Sequence, residues 1–259
     1  MVRALYSAWT GMYNEQKRMD VVSNNMANAD TTGYKKMGTT SQSFDEALAV
    51  RIHDRDSRYT TRSIGTLNGG VKIGETYTDY TQGSLKATDA TYDVALGGSG
   101  FFTINTTDKS GVTHTRYTRD GSFTVTKDGY LVTKDGDSVM GTDGKPIQIP
   151  GAQTAKVSID EAGNIYANDT YVNQLAIVDF ADYDTVVMYG ESMWETTNST
   201  QLTASDATVH QGYLEASNVN VVDEMVDMIT VSRAYETNQK MIQTIDQVLD
   251  KAANEVGRV

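Results

Sequence analysis

The stretch SNVNVVDEMVDMITVSRAYETNQKMIQTIDQVLDKAANEVGR, residues 217–258, predicts the longest element of this chain. Apolar or small side chains recur in it at steps of three and four residues, which is the period of an α-helix. They are Val221, Met225, Met228, Ser232, Tyr235, Asn238, Ile242, Ile245, Leu249, Ala252 and Val256. Asn220 suits the N-cap, and Asp223 and Glu224 suit the first turn, where the helix dipole favours negative charge. A helix of about 54 Å, at 1.5 Å per residue, needs a second long helix to cover its apolar seam.

A second helical seam lies at the opposite end of the chain. Its members follow the same steps: Leu5, Ala8, Met12, Glu15, Met19, Val22, Met26 and Ala29. The intervening Thr10, Gly11 and Asn14 favour other conformations, and Gly11 alone costs about 1 kcal/mol relative to Ala. We therefore expect this helix to be ordered by its neighbours. The two ends together predict one coiled-coil-like helical layer into which the rest of the chain is inserted.

The period of the apolar pattern changes to two between Tyr77 and about Tyr213. Short alternating runs are separated by turn signals such as Asp120-Gly121 and Asp128-Gly129, with no helical pattern between them. This arrangement predicts an antiparallel β domain, and the fold class is therefore α+β.

Residues 39–76 connect the first helix to this β domain. Phe44, Leu48 and Ile52 lie four residues apart, which predicts a short helix followed by an extended connector. A flexible linker is the alternative interpretation.

The composition excludes several classes of protein. The 259 residues contain no cysteine, which excludes disulfides, thiolate metal sites and thiol nucleophiles. The net charge is −12, and residues 66–211 carry nine basic and nineteen acidic side chains, so a nucleic-acid partner is not expected. No run is long and apolar enough to predict insertion into a membrane, and the first residues lack the apolar core of a signal peptide. A secreted role would therefore need an export route without a cleaved leader.

A search for reactive groups predicts no catalytic, cofactor or metal site. Residues 97–101, Gly-Gly-Ser-Gly-Phe, lack the final Gly of a nucleophile elbow and the helix that would follow it. The Asp-Gly pairs are single acids in separate turns, which favours structural turns over calcium ligands. His53, His114 and His210 are far apart in sequence. Carboxylate pairs that the fold would bring together stay open at this point.

Several motifs, taken jointly and in order, resemble those of the bacterial flagellar rod, hook and hook-associated family. The resemblance covers about residues 1–38, 77–150 and 210–253. Its motifs include Asn24-Asn25-Met26-Ala27-Asn28, Thr32-Gly33-Tyr34-Lys35, Tyr80-Thr81-Gln82-Gly83, Thr118-Arg119-Asp120-Gly121, Glu215-Ala216-Ser217-Asn218 and Arg233-Ala234-Tyr235-Glu236.

This resemblance implies a structural subunit, most similar to the distal-rod type, which forms a helical homopolymer and catalyses no reaction. The implied partners are copies of itself, other rod proteins and the hook, the flagellar type III export apparatus and, depending on the cell envelope, surrounding ring proteins. The implied location is the extracytoplasmic basal body. The signature residues are Asn24, Asn25, Asn28, Gly33, Tyr34, Gly83, Asp120, Gly121, Ser217, Asn218, Arg233 and Tyr235.

The resemblance and the helical period together predict an assembly seam on the two terminal helices. Its residues are Leu5, Met12, Met19, Val22, Met26, Val221, Met225, Met228, Tyr235, Ile242, Ile245 and Leu249. Four segments are expected: 1–38 and 214–259 in the helical layer, 39–76 as connector, and 77–213 as β domain. A proximal rod or hook subunit is the alternative within the family. A secreted β-rich enzyme or adhesin with helical oligomerisation arms is the alternative from another class.

Overall fold

The computed structural model describes residues 2–44, 47–52, 61–108, 111–151, 155–197 and 200–254. The chain divides into two compact units. The first comprises Met1–Met26, Met37–Asp79 and Asn220–Val259, and the second comprises Ala27–Lys36 and Tyr80–Val219. The predicted division into 1–38, 39–76, 77–213 and 214–259 stays a prediction.

The first unit contains both helices and four strands. Helix α1 is Val2–Ala27 and helix α2 is Val221–Asn254. The strands are β1 Met37–Ser43, β2 Ala47–Ile52, β3 Thr61–Leu67 and β4 Val71–Thr78. Strand β1 pairs antiparallel with β4, and β2 pairs antiparallel with β3. Neither helix in the described part of the chain combines length and apolar character as a membrane span requires.

Helix α2 begins where the sequence predicts. The Asn220 side chain accepts a hydrogen bond from the Val222 N–H at 3.0 Å, and its backbone oxygen accepts one from the Glu224 N–H at 3.0 Å. These are the contacts of an N-cap, and they satisfy amide groups that a free helix end leaves without partners.

The predicted short helix in the connector is wrong, because Ala47–Ile52 is a strand. The spacing of Phe44, Leu48 and Ile52 fits a helix, but an interval of four residues also keeps side chains on one face of a strand. Val50 and Ile52 are β-branched and favour extended backbone, and pairing with β3 satisfies the backbone groups. The predicted connector residues 53–60 lie outside the described residues.

The second unit is built from antiparallel strands, as predicted. They are β5 Leu85–Ala87, β6 Val94–Gly97, β7 Phe101–Thr107, β8 Thr113–Thr118, β9 Thr124–Val125, β10 Leu131–Val132, β11 Ser138–Val139, β12 Val157–Ile159, β13 Asn164–Ala167, β14 Thr170–Gln174, β15 Ile177–Phe180, β16 Val186–Tyr189, β17 Met193–Thr196, β18 Leu202–Ala204, β19 Thr208–Gln211 and β20 Tyr213–Glu215. The described chain is therefore α+β.

The largest sheet of this unit has nine strands. Its main path runs β16-β17-β8-β7-β11-β10-β9, and β15 joins β7 to β18. Its two faces cover separate apolar clusters, since side chains alternate along each strand. One cluster is mainly aliphatic and includes Ile104, Leu131 and Ile147; the other is aromatic and includes Phe101 and Trp194. This double core gives the unit its own source of stability.

Candidate assembly interface

Asn25, a signature residue, lies near the end of helix α1 in the first unit. Asn25 is 1% exposed, and its side-chain amide donates to the Met37 carbonyl oxygen at 2.8 Å while its side-chain oxygen accepts from the Met37 N–H at 2.9 Å. The same amide also donates to Glu224 Oε2 at 3.2 Å. Asn25 therefore ties the end of α1 to strand β1 and to the first turn of α2. From the sequence, Glu224 was predicted only to interact favourably with the helix dipole. In the structure its side chain is buried, with 1% exposed, and it accepts the hydrogen bond from Asn25.

Three charged residues from the motifs of the resemblance form a buried ion cluster in the second unit: Lys35, Arg119 and Glu215. Glu215 Oε1 lies 2.6 Å from Lys35 Nζ, and Glu215 Oε2 lies 3.3 Å from Arg119 Nη1. All three side chains are at most 5% exposed. Lys35 also donates to the Thr81 carbonyl oxygen at 2.8 Å, and the Gly83 N–H donates to Glu215 Oε1 at 2.9 Å. Two cations and one carboxylate thus share a site that water does not reach.

Backbone contacts complete this cluster. The Gly33 N–H donates to the Glu215 carbonyl oxygen at 2.9 Å, and the Lys36 N–H donates to Asn218 Oδ1 at 2.7 Å. Asn218 Nδ2 donates to the Thr81 carbonyl oxygen at 3.2 Å. The segment that follows α1 and the segment that precedes α2 are therefore joined to each other within the second unit.

Signature glycines lie where backbone segments meet closely. Gly33 has φ +69°, and a Cβ on it would come within 2.5 Å of the Asp120 N. A Cβ on Gly83 would collide with the Ala216 carbonyl oxygen, and one on Gly121 would collide with the Val94 carbonyl oxygen. These positions require glycine because no side chain fits between the segments.

The structure does not bring all signature residues together. Tyr34 is fully buried and Asn28 is 7% exposed, whereas Asn24 is exposed. The Ser217 hydroxyl accepts from the Val219 N–H at 3.2 Å in the second unit. Arg233 and Tyr235 belong to α2 in the first unit, with Arg233 exposed and Tyr235 half-buried. The signature is therefore several local sites rather than one.

The predicted assembly seam on α1 is half-buried. This holds for Leu5, Met12, Met19, Val22 and Met26. The most buried positions of this helix are small or polar instead: Ala8, Thr10, Asn14 and Asn25. Asn14 Nδ2 donates to the Ser41 hydroxyl at 3.0 Å, so strand β1 covers this side of the helix.

The predicted assembly seam on α2 is divided. Met228, Tyr235, Ile242 and Ile245 are half-buried, whereas Val221, Met225 and Leu249 are exposed. The half-buried side contacts α1, because a Cβ on Gly11 would come within 3.0 Å of Asn238 Nδ2. Gly11 meets Asn238 and Asn25 meets Glu224, so the two helices run in opposite directions.

Both helices also carry an exposed apolar face that the sequence analysis missed. On α1 it consists of Tyr6, Trp9 and Tyr13, which are 61%, 53% and 49% exposed. On α2 its centre is Val222, Val226 and Ile229. The steps of three and four residues within each set were a usable signal, but the stronger Met-containing pattern beside them concealed it. We call these two sets the outer helix faces.

The largest pKa shift in the second unit is that of Tyr183, which packs against the aromatic cluster. Burial and the hydrogen bond to Asp179 raise the pKa of Tyr183 to about 12. The Tyr183 hydroxyl donates to Asp179 Oδ1 at 2.6 Å, and the ring packs 4.6 Å from that of Tyr80. The Tyr183–Asp179 pair stabilises the protonated tyrosine beside the aromatic cluster. Among the described residues, no group of three or more His, Asp or Glu side chains is arranged to hold a metal ion.

Three family models match the chain. Residues 5–35 match the flagella basal body rod protein model. Residues 95–167 match the D1 domain of the flagellar hook proteins FlgE, FlgF and FlgG. Residues 210–255 match the C-terminal model of the basal body rod FlgEFG proteins.

Curated relatives extend the match to nearly the whole chain. The flagellar basal-body rod protein FlgG of Buchnera aphidicola (subsp. Acyrthosiphon pisum) is 34% identical, covering 97% of this chain and 98% of the relative. FlgG of Bacillus subtilis is 33% identical, covering 98% and 99%. FlgF of Caulobacter vibrioides is 31% identical over the full length of both chains. On this identity and coverage, the chain belongs to the flagellar basal-body rod protein family and is FlgG-like.

Proposed function

We propose that copies of this chain polymerise through both terminal helices into a hollow helical rod that lines an export channel and carries torque from motor to hook. The observation that carries the proposal is the pair of outer helix faces. One helix pair needs only one apolar face on each helix, yet α2 has a half-buried face and a second, exposed one. A large exposed apolar surface of this kind marks a site of protein association.

Family membership makes the chain a structural component of the flagellar rod and not an enzyme. The alternative of a secreted enzyme or adhesin is therefore not supported. What stays proposed is the coiled-coil-like packing of the helices, the predicted assembly seam and the lining of a channel.

The energetics favour coverage of the outer helix faces by other copies. Val222, Val226 and Ile229 are 66%, 58% and 54% exposed. Fully burying one such side chain contributes about 1.5–3 kcal/mol, although ordering the helices opposes part of this gain. The predicted seam residues, of which Val221, Met225 and Leu249 are exposed and the others half-buried within one copy, would then fill the space between neighbouring helices, for which flexible Met side chains are suited.

We also propose the distal rod as the place of this chain, with other rod proteins, the hook, the type III export apparatus and ring proteins as partners. Full-length similarity to relatives named FlgG supports the distal-rod assignment. A proximal-rod role is the second candidate, because a relative named FlgF also matches over its full length. Basal bodies from a strain lacking this chain distinguish the two by the point at which the rod ends.

The exposed face of α2 offers a direct test of polymerisation. Val226→Glu places a charge at the centre of the proposed contact and should abolish assembled rods and swimming, because burying an isolated charge is costly. Gln243→Glu is the matched control, since it adds the same charge at an exposed polar position of the same helix. Normal rods with Val226→Glu would contradict the proposal, provided the variant is folded and exported.

A further inference from the structure

The segment 68–70, which joins strands β3 and β4, contains the only Asn-Gly pair of the chain. Asn68 and Gly69 are both exposed, and a Cβ added to Gly69 would meet no atom within 4 Å. A glycine after an asparagine has a chemical consequence, because no side chain shields its backbone nitrogen from the carboxamide of the preceding residue. The Gly69 nitrogen can therefore approach the Asn68 Cγ without steric obstruction from a side chain.

The backbone also polarises the Asn68 carboxamide. The Gly70 N–H donates to Asn68 Oδ1 at 3.0 Å, which is the turn in which asparagine accepts from the amide two residues further on. This donor withdraws electron density from Cγ. It also stabilises the oxygen that becomes negatively charged when a nucleophile adds to Cγ, as a donor of an oxyanion hole does. Three consecutive residues thus supply an electrophilic carbon, a nucleophilic nitrogen and an oxyanion donor.

We propose that Asn68 is a site of spontaneous deamidation. Hydroxide removes the proton of the Gly69 nitrogen, which forms a bond with Asn68 Cγ. The bond between Cγ and the carboxamide nitrogen breaks, and that nitrogen takes up a proton and leaves as ammonia. The chain is then closed into a succinimide ring at this position.

Water opens the succinimide ring in one of two ways. Attack at Cγ breaks the new bond to the Gly69 nitrogen and gives aspartate. Attack at the backbone carbonyl carbon breaks the original peptide bond and gives isoaspartate, in which the chain continues through Cβ and Cγ. Both products carry one negative charge where asparagine carries none. Water and hydroxide are the only reagents that the reaction consumes or uses, so it is independent of the proposed polymerisation.

The same segment covers part of helix α1 within the first unit. A Cβ on Gly70 would collide with Thr10 Oγ1, and the Gly70 carbonyl oxygen accepts from the Phe44 N–H at 3.0 Å. Thr10, on α1, is only 7% exposed. Isoaspartate adds one bond to the backbone between the Cα of residue 68 and the Gly69 nitrogen, whereas aspartate leaves the backbone length unchanged. The proposed isoaspartyl product should therefore displace Gly70 and loosen its contact with α1.

Peptide mapping by mass spectrometry tests the chemistry on the folded, full-length chain. The expected result is a time-dependent replacement of the amide by an acid at Asn68, faster at alkaline than at neutral pH, because the Gly69 nitrogen must lose its proton. The aspartyl and isoaspartyl peptides have equal mass and are separated by chromatography. Asn24 is an internal control, since it is exposed but is followed by Asn25, which has a side chain. It should convert at least about tenfold more slowly, which corresponds to about 1.4 kcal/mol of barrier.

Gly69→Ala is the matched variant. The backbone of Gly69 lies outside the left-handed region and has space for a Cβ, so alanine should leave the fold intact. Its methyl group shields the nitrogen, and deamidation of Asn68 should become at least about tenfold slower. Equal rates at Asn68 and Asn24, or equal rates at Asn68 in the parent and in Gly69→Ala, would overturn the proposed site.

Thermal unfolding of aged protein tests the effect on α1. The parent and Gly69→Ala are incubated identically, so that any isomerisation of the Asp-Gly pairs affects both, and the helical circular-dichroism signal reports the first unit. The melting temperature of the parent should fall as its isoaspartyl fraction rises, whereas Gly69→Ala should keep its initial value. Freshly purified Asn68→Asp adds the charge without the extra bond and should melt close to the fresh parent. A melting temperature independent of the isoaspartyl fraction would overturn the proposed loosening of α1.

Discussion

The second unit closes two clusters of large apolar side chains, whereas the two helices of the first unit leave many of theirs in water. Trp194, Phe102 and Ile104 are completely buried, yet Val222 is 66% exposed and Tyr6 is 61% exposed. A cluster with its own closed core can be stable in one copy. The helices have no such core, so their stability should depend on the concentration of other copies. The same chain thus combines a β domain with closed apolar clusters and two helices whose outer faces are exposed in one copy.

The largest effect is expected from a substitution that removes the side chain at the centre of the aromatic cluster. Trp194→Ala should lower the free energy of unfolding of the second unit by about 3–5 kcal/mol, because it leaves a cavity among Tyr80, Phe101 and the surrounding strands. Urea denaturation followed by circular dichroism measures the change. A decrease below about 1 kcal/mol would contradict the account of a closed core.

The buried ion cluster should give the next largest effect. Glu215→Gln removes the carboxylate shared by Lys35 and Arg119, and we expect a decrease in stability of about 3 kcal/mol because it breaks two buried ion pairs at once. Glu195→Gln is the matched control, since Glu195 is 43% exposed in its side chain. Thermal unfolding of both variants checks this, and equal melting temperatures would show that the cluster contributes little.

A small truncation on the outer helix faces should separate folding from assembly. Val226→Ala should change the stability of the dilute chain by no more than about 0.5 kcal/mol, as expected for an exposed side chain. Assembly should nevertheless weaken about tenfold for each ~1.4 kcal/mol by which the truncation reduces the binding free energy between copies. Sedimentation across a concentration series measures the assembly, and urea denaturation of the dilute chain measures the stability. A large decrease in monomer stability would indicate that this face is already covered within one copy.

The smallest effect concerns alkaline pH. The ordinary tyrosine pKa is near 10, and in the folded chain the pKa of Tyr183 is raised to about 12. The unfolded chain therefore loses this proton first, and stability present below pH 10 should decline as pH rises through 12. Tyr183→Phe should flatten that part of the profile of stability against pH. An unchanged slope in Tyr183→Phe would contradict the shifted pKa.

Sequence periodicity predicted the elements whose signal is local. The helical period and the N-cap Asn220 predicted α2, and alternation with Asp-Gly turns predicted the antiparallel strands. The connector strand Ala47–Ile52 was mistaken for a helix, because a period of four residues fits either structure and its partner strand decides between them.

The buried polar contacts could not be predicted from local patterns. Lys35, Arg119 and Glu215 are far apart in sequence, and nothing near any of them indicates which charge it meets. All three residues lie within motifs of the resemblance, but the motifs did not assign the pairs. Only the fold brings the three side chains into one site.

Solvent access to Val226 tests most directly whether other copies complete the helical layer. A single Val226→Cys variant provides the only thiol of the chain, and its reaction with a maleimide can be compared between dilute monomer and assembled basal bodies. The account predicts rapid labelling of the monomer and strong protection in the rod. Equal labelling rates in the two states would contradict it.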